Sequence, residues 1–126
     1  MTRILVVDDS KTMRRIILST LNTLGFAAVD EVATGADALA KIGAGGFDLV
    51  ISDWSMPQMS GLDLLRAIRA DAAHARLPVL MVTGIGDESD IVTAIAAGAD
   101  GYLIKPFQPE TLAEKIQQIL GEGVKA

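Results

Sequence analysis

The sequence contains no cysteine and a single histidine, His74. The absence of cysteine excludes disulfide bonds, thiolate catalysis and cysteine-based metal sites, and one histidine cannot form a histidine cluster. Positive charge is also sparse, because the 126-residue chain has a net charge of −5 and no basic run beyond Arg14 and Arg15. Direct binding of nucleic acid is therefore not expected. Any bound metal should be a hard cation that takes oxygen ligands.

Long apolar segments are missing as well. No stretch reaches the length that crosses a membrane, and the N-terminus lacks the apolar segment of a signal peptide. We therefore expect a cytoplasmic protein without membrane contact. The length, with half of the residues hydrophobic, fits one domain over residues 1–126 and no effector domain. The tail over residues 121–126 is expected to fray.

What the sequence does contain is a regular alternation of two apolar patterns. Short apolar runs predict five β-strands, over residues 4–7, 27–32, 49–51, 79–82 and 102–104. Segments with helical periodicity predict five helices between and after them, over residues 11–24, 36–42, 62–70, 89–97 and 109–120. This alternation predicts a doubly wound (βα)5 α/β fold, with a parallel sheet covered by helices on both faces. Acidic residues within 27–32 suggest that the second strand lies at an edge.

Polar side chains stand at the carboxyl ends of four predicted strands. Asp8 and Asp9 follow the first strand, Asp53 the third, Thr83 the fourth and Lys105 the fifth. In the flavodoxin-like strand order 2-1-3-4-5, the first and third strands are neighbours, so the three carboxylates should converge. Three like charges in one crevice repel unless a cation neutralises them or their pKa values rise. An oxygen-rich site of this kind suits Mg²⁺.

Each of these residues also has an ordinary structural explanation. Asp8 and Asp9 could cap the following helix, Asp53 could belong to a turn, and Lys105 could be a solvated surface lysine. Independent turns, however, have no reason to place acids, a hydroxyl and a base at successive strand ends. The set as a whole matches phosphoryl transfer, which depends on positioning and on neutralising negative charge.

Four stretches of the chain carry a family resemblance: ILVVDDS, ISDWSMPQMSGLDLLRAIR, LPVLMVTG and AGADGYLIKPF. Over essentially its whole length the sequence resembles the receiver domains of two-component response regulators. Within that family it is most similar to stand-alone chemotaxis regulators of the CheY type. That narrower likeness rests on Trp54 after Asp53, on Tyr102 three residues before Lys105, and on the Lys-Pro-Phe run that Lys105 begins.

The resemblance implies a role for each site residue. Asp53 aligns with the phosphoacceptor, and Asp8, Asp9 and the backbone carbonyl of Ser55 align with the ligands that, together with Asp53, hold Mg²⁺. Lys105 aligns with a residue that contacts the phosphoryl group, and the bond between Lys105 and Pro106 is cis in the family.

The resemblance also implies a switch and its partners. Thr83 aligns with a second phosphoryl-contacting residue, whose movement lets an aromatic side chain, here Tyr102, turn inward. The phosphodonor would be a sensor histidine kinase of the CheA type, and the target a protein such as a flagellar motor switch component. The candidate partner face lies on the fourth helix, fifth strand and fifth helix of a monomer, and comprises Ile91, Ile95, Tyr102, Phe107 and Lys115. We expect at least one of the two isoleucines to pack against the sheet instead.

Other functions remain open at this point. Within the family, the chain could be a phosphorelay shuttle or a phosphate sink, which need the same site. A small Mg²⁺-dependent phosphatase of the haloacid dehalogenase type is a weaker alternative, because its nucleophile belongs on the first strand. The implied protein is a phosphoacceptor and not a turnover enzyme. Asp87 and Glu88 lie where chemotaxis regulators often carry lysines, which leaves the identity of the partners open.

Overall fold

The computed structural model describes residues 2–84 and 88–121, and of Glu88 it describes only the backbone. The expectations about Asp87, the Glu88 side chain and residues 122–126 of the tail lie outside this part of the chain. Among the described residues, no helix is both long enough and apolar enough to cross a membrane.

Strands and helices alternate along the chain. Their bounds are β1 Arg3–Val7, α1 Lys11–Thr23, β2 Ala28–Val32, α2 Gly35–Ala44, β3 Leu49–Asp53, α3 Gly61–Ala70, β4 Val79–Thr83, α4 Glu88–Ala96, β5 Gly101–Ile104 and α5 Pro109–Leu120. The strands form one parallel sheet in the order β2-β1-β3-β4-β5. The predicted fold class and strand order are confirmed.

The burial of the strands follows their composition. Every residue of β3 and β4 is buried, whereas β2 has no fully buried residue and lies at the edge, as its acidic residues suggested. Helices α1 and α5 cover one face of the sheet, and α2, α3 and α4 cover the other, so two apolar cores flank the sheet. This is the arrangement that right-handed crossovers between parallel strands produce.

Local capping explains where several helices begin. Ser10, Thr34 and Ser60 each accept a hydrogen bond from the backbone three residues on, and Ser60 forms a capping box with Asp63. The predicted end of the second helix at residue 42 was wrong. The helix continues to Ala44, because the stop is Gly45, which has a φ of 85°.

Candidate functional site

The three predicted carboxylates meet at the carboxyl edge of the sheet. Asp8 follows β1 and Asp53 is the last residue of the neighbouring strand β3. Asp8, Asp9 and Asp53 each offer an oxygen, and these oxygens lie within 4.8 Å of one another. Asp8 and Asp53 are 1% and 8% exposed, whereas Asp9 is open to solvent. The structure thus brings together the acid cluster that the strand order predicted.

Lys105 completes this cluster with a positive charge. Its Nζ donates to Asp8 Oδ2 at 3.3 Å and to Asp53 Oδ1 at 3.1 Å. The lysine lies directly after β5, where its backbone N–H donates to the Thr83 carbonyl at 2.7 Å. Its peptide bond to Pro106 is cis, as the family resemblance implied. One ammonium group therefore bridges two carboxylates at the carboxyl ends of neighbouring strands, β1 and β3.

Electrostatics at Asp53 favour its neutral form. Burial is the main cause that raises the pKa of Asp53 above its ordinary value of 3.8, and repulsion by Asp8 and, more weakly, by Asp9 adds to it. The hydrogen bond and charge of Lys105 act in the opposite direction without reversing the shift. Two carboxylates, Asp8 and Asp9, neighbour Asp53, and among the described residues only Lys105 forms an ion pair with it, so a cation at the cluster would favour the ionised form of Asp53.

The backbone around Asp53 is held on several sides. The Ser52 hydroxyl donates to the Asp53 carbonyl at 3.1 Å, and the Trp54 N–H donates to the Val82 carbonyl at 2.9 Å. Gly61 is the first residue of α3 and lies next to Asp53 and Trp54, and its N–H donates to the Trp54 carbonyl at 2.9 Å. A Cβ on Gly61 would overlap the Asp53 carbonyl oxygen. Sequence reasoning missed Gly61, because a glycine at a helix start has no pattern that reveals such a close approach.

A cavity of about 330 Å³ opens beside the acid cluster. Its lining residues are Asp53, Trp54, Ser55, Thr83, Gly84, Asp90 and Lys105. Thr83 is only 6% exposed, whereas Ser55 is open to solvent. Asp90 was missed by sequence reasoning, because it lies on α4 and not at a strand end. The cavity is lined by two carboxylates, two hydroxyls and an ammonium group, and the hydroxyls and the ammonium group could donate hydrogen bonds to a small anionic group.

Comparison with known proteins agrees with this arrangement. The profile of the response regulator receiver domain matches residues 4–117. The chain belongs to this family. It is 49% identical to chemotaxis protein CheY of Pseudomonas aeruginosa over 117 residues, which cover 93% of this chain and 94% of that protein. Identity to chemotaxis protein CheY1 of Helicobacter pylori is 43% over 120 residues, covering 94% of this chain and 97% of the relative.

A solved structure shows the same fold. Vibrio cholerae chemotaxis protein CheY4 superposes with a TM-score of 0.89 at 38% sequence identity, over 95% of this chain and 99% of that chain. These findings confirm the predicted family, and with it the function of a signalling protein that is switched by phosphorylation.

The candidate partner face of this receiver surrounds Tyr102 on β5. Tyr102 is half-buried, and the Lys115 Nζ lies 4.8 Å from the centre of its ring. Beside it is a groove of about 280 Å³ with these lining residues: Tyr102, Leu103, Ile104, Pro106, Phe107, Gln108, Thr111 and Lys115. Of the two isoleucines, Ile91 is half-buried and Ile95 is 53% exposed. Sequence reasoning missed Val92, which is 60% exposed on the same helix.

Proposed function

We propose that the chain is a chemotaxis response regulator that accepts a phosphoryl group on Asp53 from a sensor histidine kinase and then changes its affinity for a target protein. The observation that carries this proposal is the contact of Lys105 with both Asp8 and Asp53 inside an acid cluster. Similarity to the CheY proteins of two bacteria supports the chemotaxis assignment.

The chemistry would be a transfer from nitrogen to oxygen. A carboxylate oxygen of Asp53 attacks the phosphorus of a phosphohistidine in line, an O–P bond forms, and the P–N bond breaks. The bonding electrons remain on the imidazole nitrogen, which then takes up a proton from solvent. Lys105 and the Thr83 hydroxyl would each face one phosphoryl oxygen, since both line the cavity next to Asp53.

The donor set also fits Mg²⁺. The carboxylates of Asp8, Asp9 and Asp53, with the backbone carbonyl of Ser55, would supply the oxygen ligands that this cation prefers. Burial is the largest cause of the raised pKa of Asp53, and repulsion by Asp8 and Asp9 is the further cause that a bound cation would relieve. When bound, Mg²⁺ would neutralise the carboxylates and part of the phosphoryl charge.

A phosphoryl group on Asp53 could switch the structure through β4 and β5. Thr83 ends β4 and pairs in register with Ile104, and Tyr102 lies two residues before Ile104 on β5. Movement of the Thr83 hydroxyl toward the phosphoryl group would change the space available to Tyr102. Phosphorylation can shift the equilibrium between the inactive and active conformations only if the phosphoryl group interacts differently with the two. We propose that these two residues carry the signal to the partner face.

The partner face would bind a component of the flagellar motor switch. Two exposed apolar residues of α4, Val92 and Ile95, and the groove beside Tyr102 would supply its contacts. This function places the protein in the cytoplasm with the kinase domain, and a monomer suffices because one chain supplies every site residue.

Phosphorylation is tested by intact mass after mixing the protein with Mg²⁺ and a small acyl-phosphate donor. We expect one added phosphoryl group on the wild type, and none on Asp53→Asn or after chelation with EDTA. Trp54 lines the cavity, so its fluorescence should respond to Mg²⁺ and should change further, on addition of the donor, only in the sample that gains the adduct. An unmodified wild type, or an adduct that survives in Asp53→Asn, would contradict the role of Asp53.

Partner binding is tested with Ile95→Asp and a matched control, Ile16→Asp. Both isoleucines are exposed on helices, at 53% and 47%, but Ile16 lies on α1, away from the groove. Ile95→Asp should weaken binding of the phosphorylated protein to a motor switch protein at least about 10-fold, as expected for an apolar anchor. Phosphorylation should remain normal in both variants. Equal losses in the two variants would show that this face has no special role.

A further inference from the structure

Arg14 connects the acid cluster to the edge strand of the sheet. Its Nη1 donates to the backbone carbonyl of Asp8 at 2.7 Å, and its Nε donates to Glu31 Oε1 at 2.8 Å. The side chain of Arg14 is 15% exposed, so it lies against the protein over most of its length. Neighbouring Arg15, by contrast, is exposed and lines a shallow groove on the outer side of α1. Only one of these two adjacent arginines therefore contacts the loop that carries Asp8 and Asp9.

The contact acts on one particular peptide group. The N–H of Asp8 donates to the Val32 carbonyl at 3.2 Å, and Asp8 Oδ1 accepts from the Ser10 N–H at 2.8 Å. The carbonyl of Asp8 belongs to the peptide group that leads into Asp9, and Arg14 holds that carbonyl. Rotation of this peptide would redirect the Asp9 side chain, which is the exposed member of the acid cluster.

We propose that Arg14 is a positioning residue for the cation site, which orients the peptide between Asp8 and Asp9 and is itself held in place by Glu31. The inference rests on the proposed function, because it takes the acid cluster to be a Mg²⁺ site. Residues that orient metal ligands from outside the coordination sphere commonly contribute 10- to 100-fold to metal affinity. The planar guanidinium suits this role, since its fixed donors reach two acceptors at once.

The proposal predicts a sign that simple electrostatics does not. Arg14 is a positive charge near a cation site, so removing its charge alone should make cation binding tighter. If Arg14 positions Asp9, removing it should make cation binding weaker. Arg15→Ala measures the effect of charge, because it removes the same charge from the next residue without removing a contact to the Asp8 carbonyl.

The experiment is a Mg²⁺ titration of the full chain without a phosphodonor, followed by Trp54 fluorescence. Binding of Mn²⁺, counted from the paramagnetic resonance of the free ion, gives a second readout. We expect Arg14→Ala to raise the apparent Kd for Mg²⁺ about 10-fold. Arg15→Ala should leave this Kd unchanged or lower it slightly. Arg14→Lys keeps the charge but cannot make both contacts, so its Kd should lie between those of the wild type and Arg14→Ala. Equal affinities in Arg14→Ala and Arg15→Ala would overturn the proposal.

A second pair of variants answers the question even if Arg14→Ala fails to fold. Glu31→Gln and Glu31→Ala remove the same charge, but only Gln keeps an acceptor for the Arg14 Nε. We expect Mg²⁺ binding to be about 3-fold weaker in Glu31→Ala than in Glu31→Gln, a smaller effect than loss of the arginine itself; identical affinities would count against the proposal.

The outcomes also separate this inference from the proposed function. A wild type that binds Mg²⁺ but never gains a phosphoryl group would contradict the proposed function and leave the role of Arg14 intact. Normal phosphorylation of the wild type, together with unchanged Mg²⁺ affinity in Arg14→Ala, would do the reverse.

Discussion

Gly61 provides the sharpest test of how the fold positions Asp53. A Cβ at this position would overlap the Asp53 carbonyl oxygen, and would lie 2.6 Å from Met81 Cε and 3.0 Å from the Asp53 carbonyl carbon. Met81 can move, but the Asp53 carbonyl belongs to the end of β3, which pairs with β4. Gly61→Ala should therefore push the start of α3 away from the strand.

The expected loss of stability follows from two opposing effects. Overpacking of a filled site typically costs about 1–3 kcal/mol, whereas alanine in place of glycine within a helix gains up to about 1 kcal/mol. Because the overlap involves backbone atoms, we expect the upper part of the first range and a net loss of about 2 kcal/mol in the free energy of unfolding. Gly43→Ala is the matched control. Gly43 lies within α2 with nothing within 4 Å of an added Cβ, so this change should gain about 0.5 kcal/mol.

Urea denaturation, followed by circular dichroism, measures both variants. The phosphorylation rate should fall at least about 10-fold in Gly61→Ala, because small displacements of a reacting group are costly, and should stay unchanged in Gly43→Ala. A Gly61→Ala variant as stable and as reactive as the wild type would refute the argument that this close approach holds Asp53 in place.

Three further predictions concern the charges of Asp53 and Asp90 and the contacts of Arg69 before the amino ends of β4 and β5. The pKa of Asp53 is raised in the folded protein, so ionisation of this carboxyl lowers the free energy of unfolding. Without Mg²⁺, Asp53→Asn should therefore be more stable than the wild type at pH 7. This advantage should shrink as the pH falls through the raised pKa toward 3.8. Urea denaturation across pH measures this, and an advantage that grew at low pH would contradict the assigned sign. Asp90→Asn removes a carboxylate from the cavity and should speed phosphorylation by a small anionic donor about 2- to 5-fold at low salt, less at high salt; slower modification would exclude repulsion by Asp90. Arg69→Ala should lower the free energy of unfolding, measured by urea denaturation, by about 2–3 kcal/mol, because the guanidinium donates to the carbonyls of Leu77 and Gly98. The control is Arg66→Ala, at an exposed position on the same helix, which should change stability by less than about 0.5 kcal/mol.

Much of the site was predictable because its residues stand next to strong local patterns. Asp8, Asp53, Thr83 and Lys105 each lie at the end of a short apolar run, and the carboxyl ends of parallel strands share one edge of a sheet. Alternation of the two periodicities was then enough to predict which polar residues would meet. Element ends were less certain, as Ala44 shows, because the residue that stops a helix depends on local backbone geometry.

The amino-acid sequence by itself therefore determined the order of the elements, the buried and edge strands, and the types of side chain at the site. Only the tertiary structure decided the contacts that come from elsewhere in the chain. Arg14 and Glu31 are 17 residues apart, Asp90 reaches the cavity from a helix, and Gly61 is needed because a helix start approaches a strand end. Such contacts depend on how the helices pack against the sheet, and local periodicity carries no information about which residues far apart in the sequence come into contact.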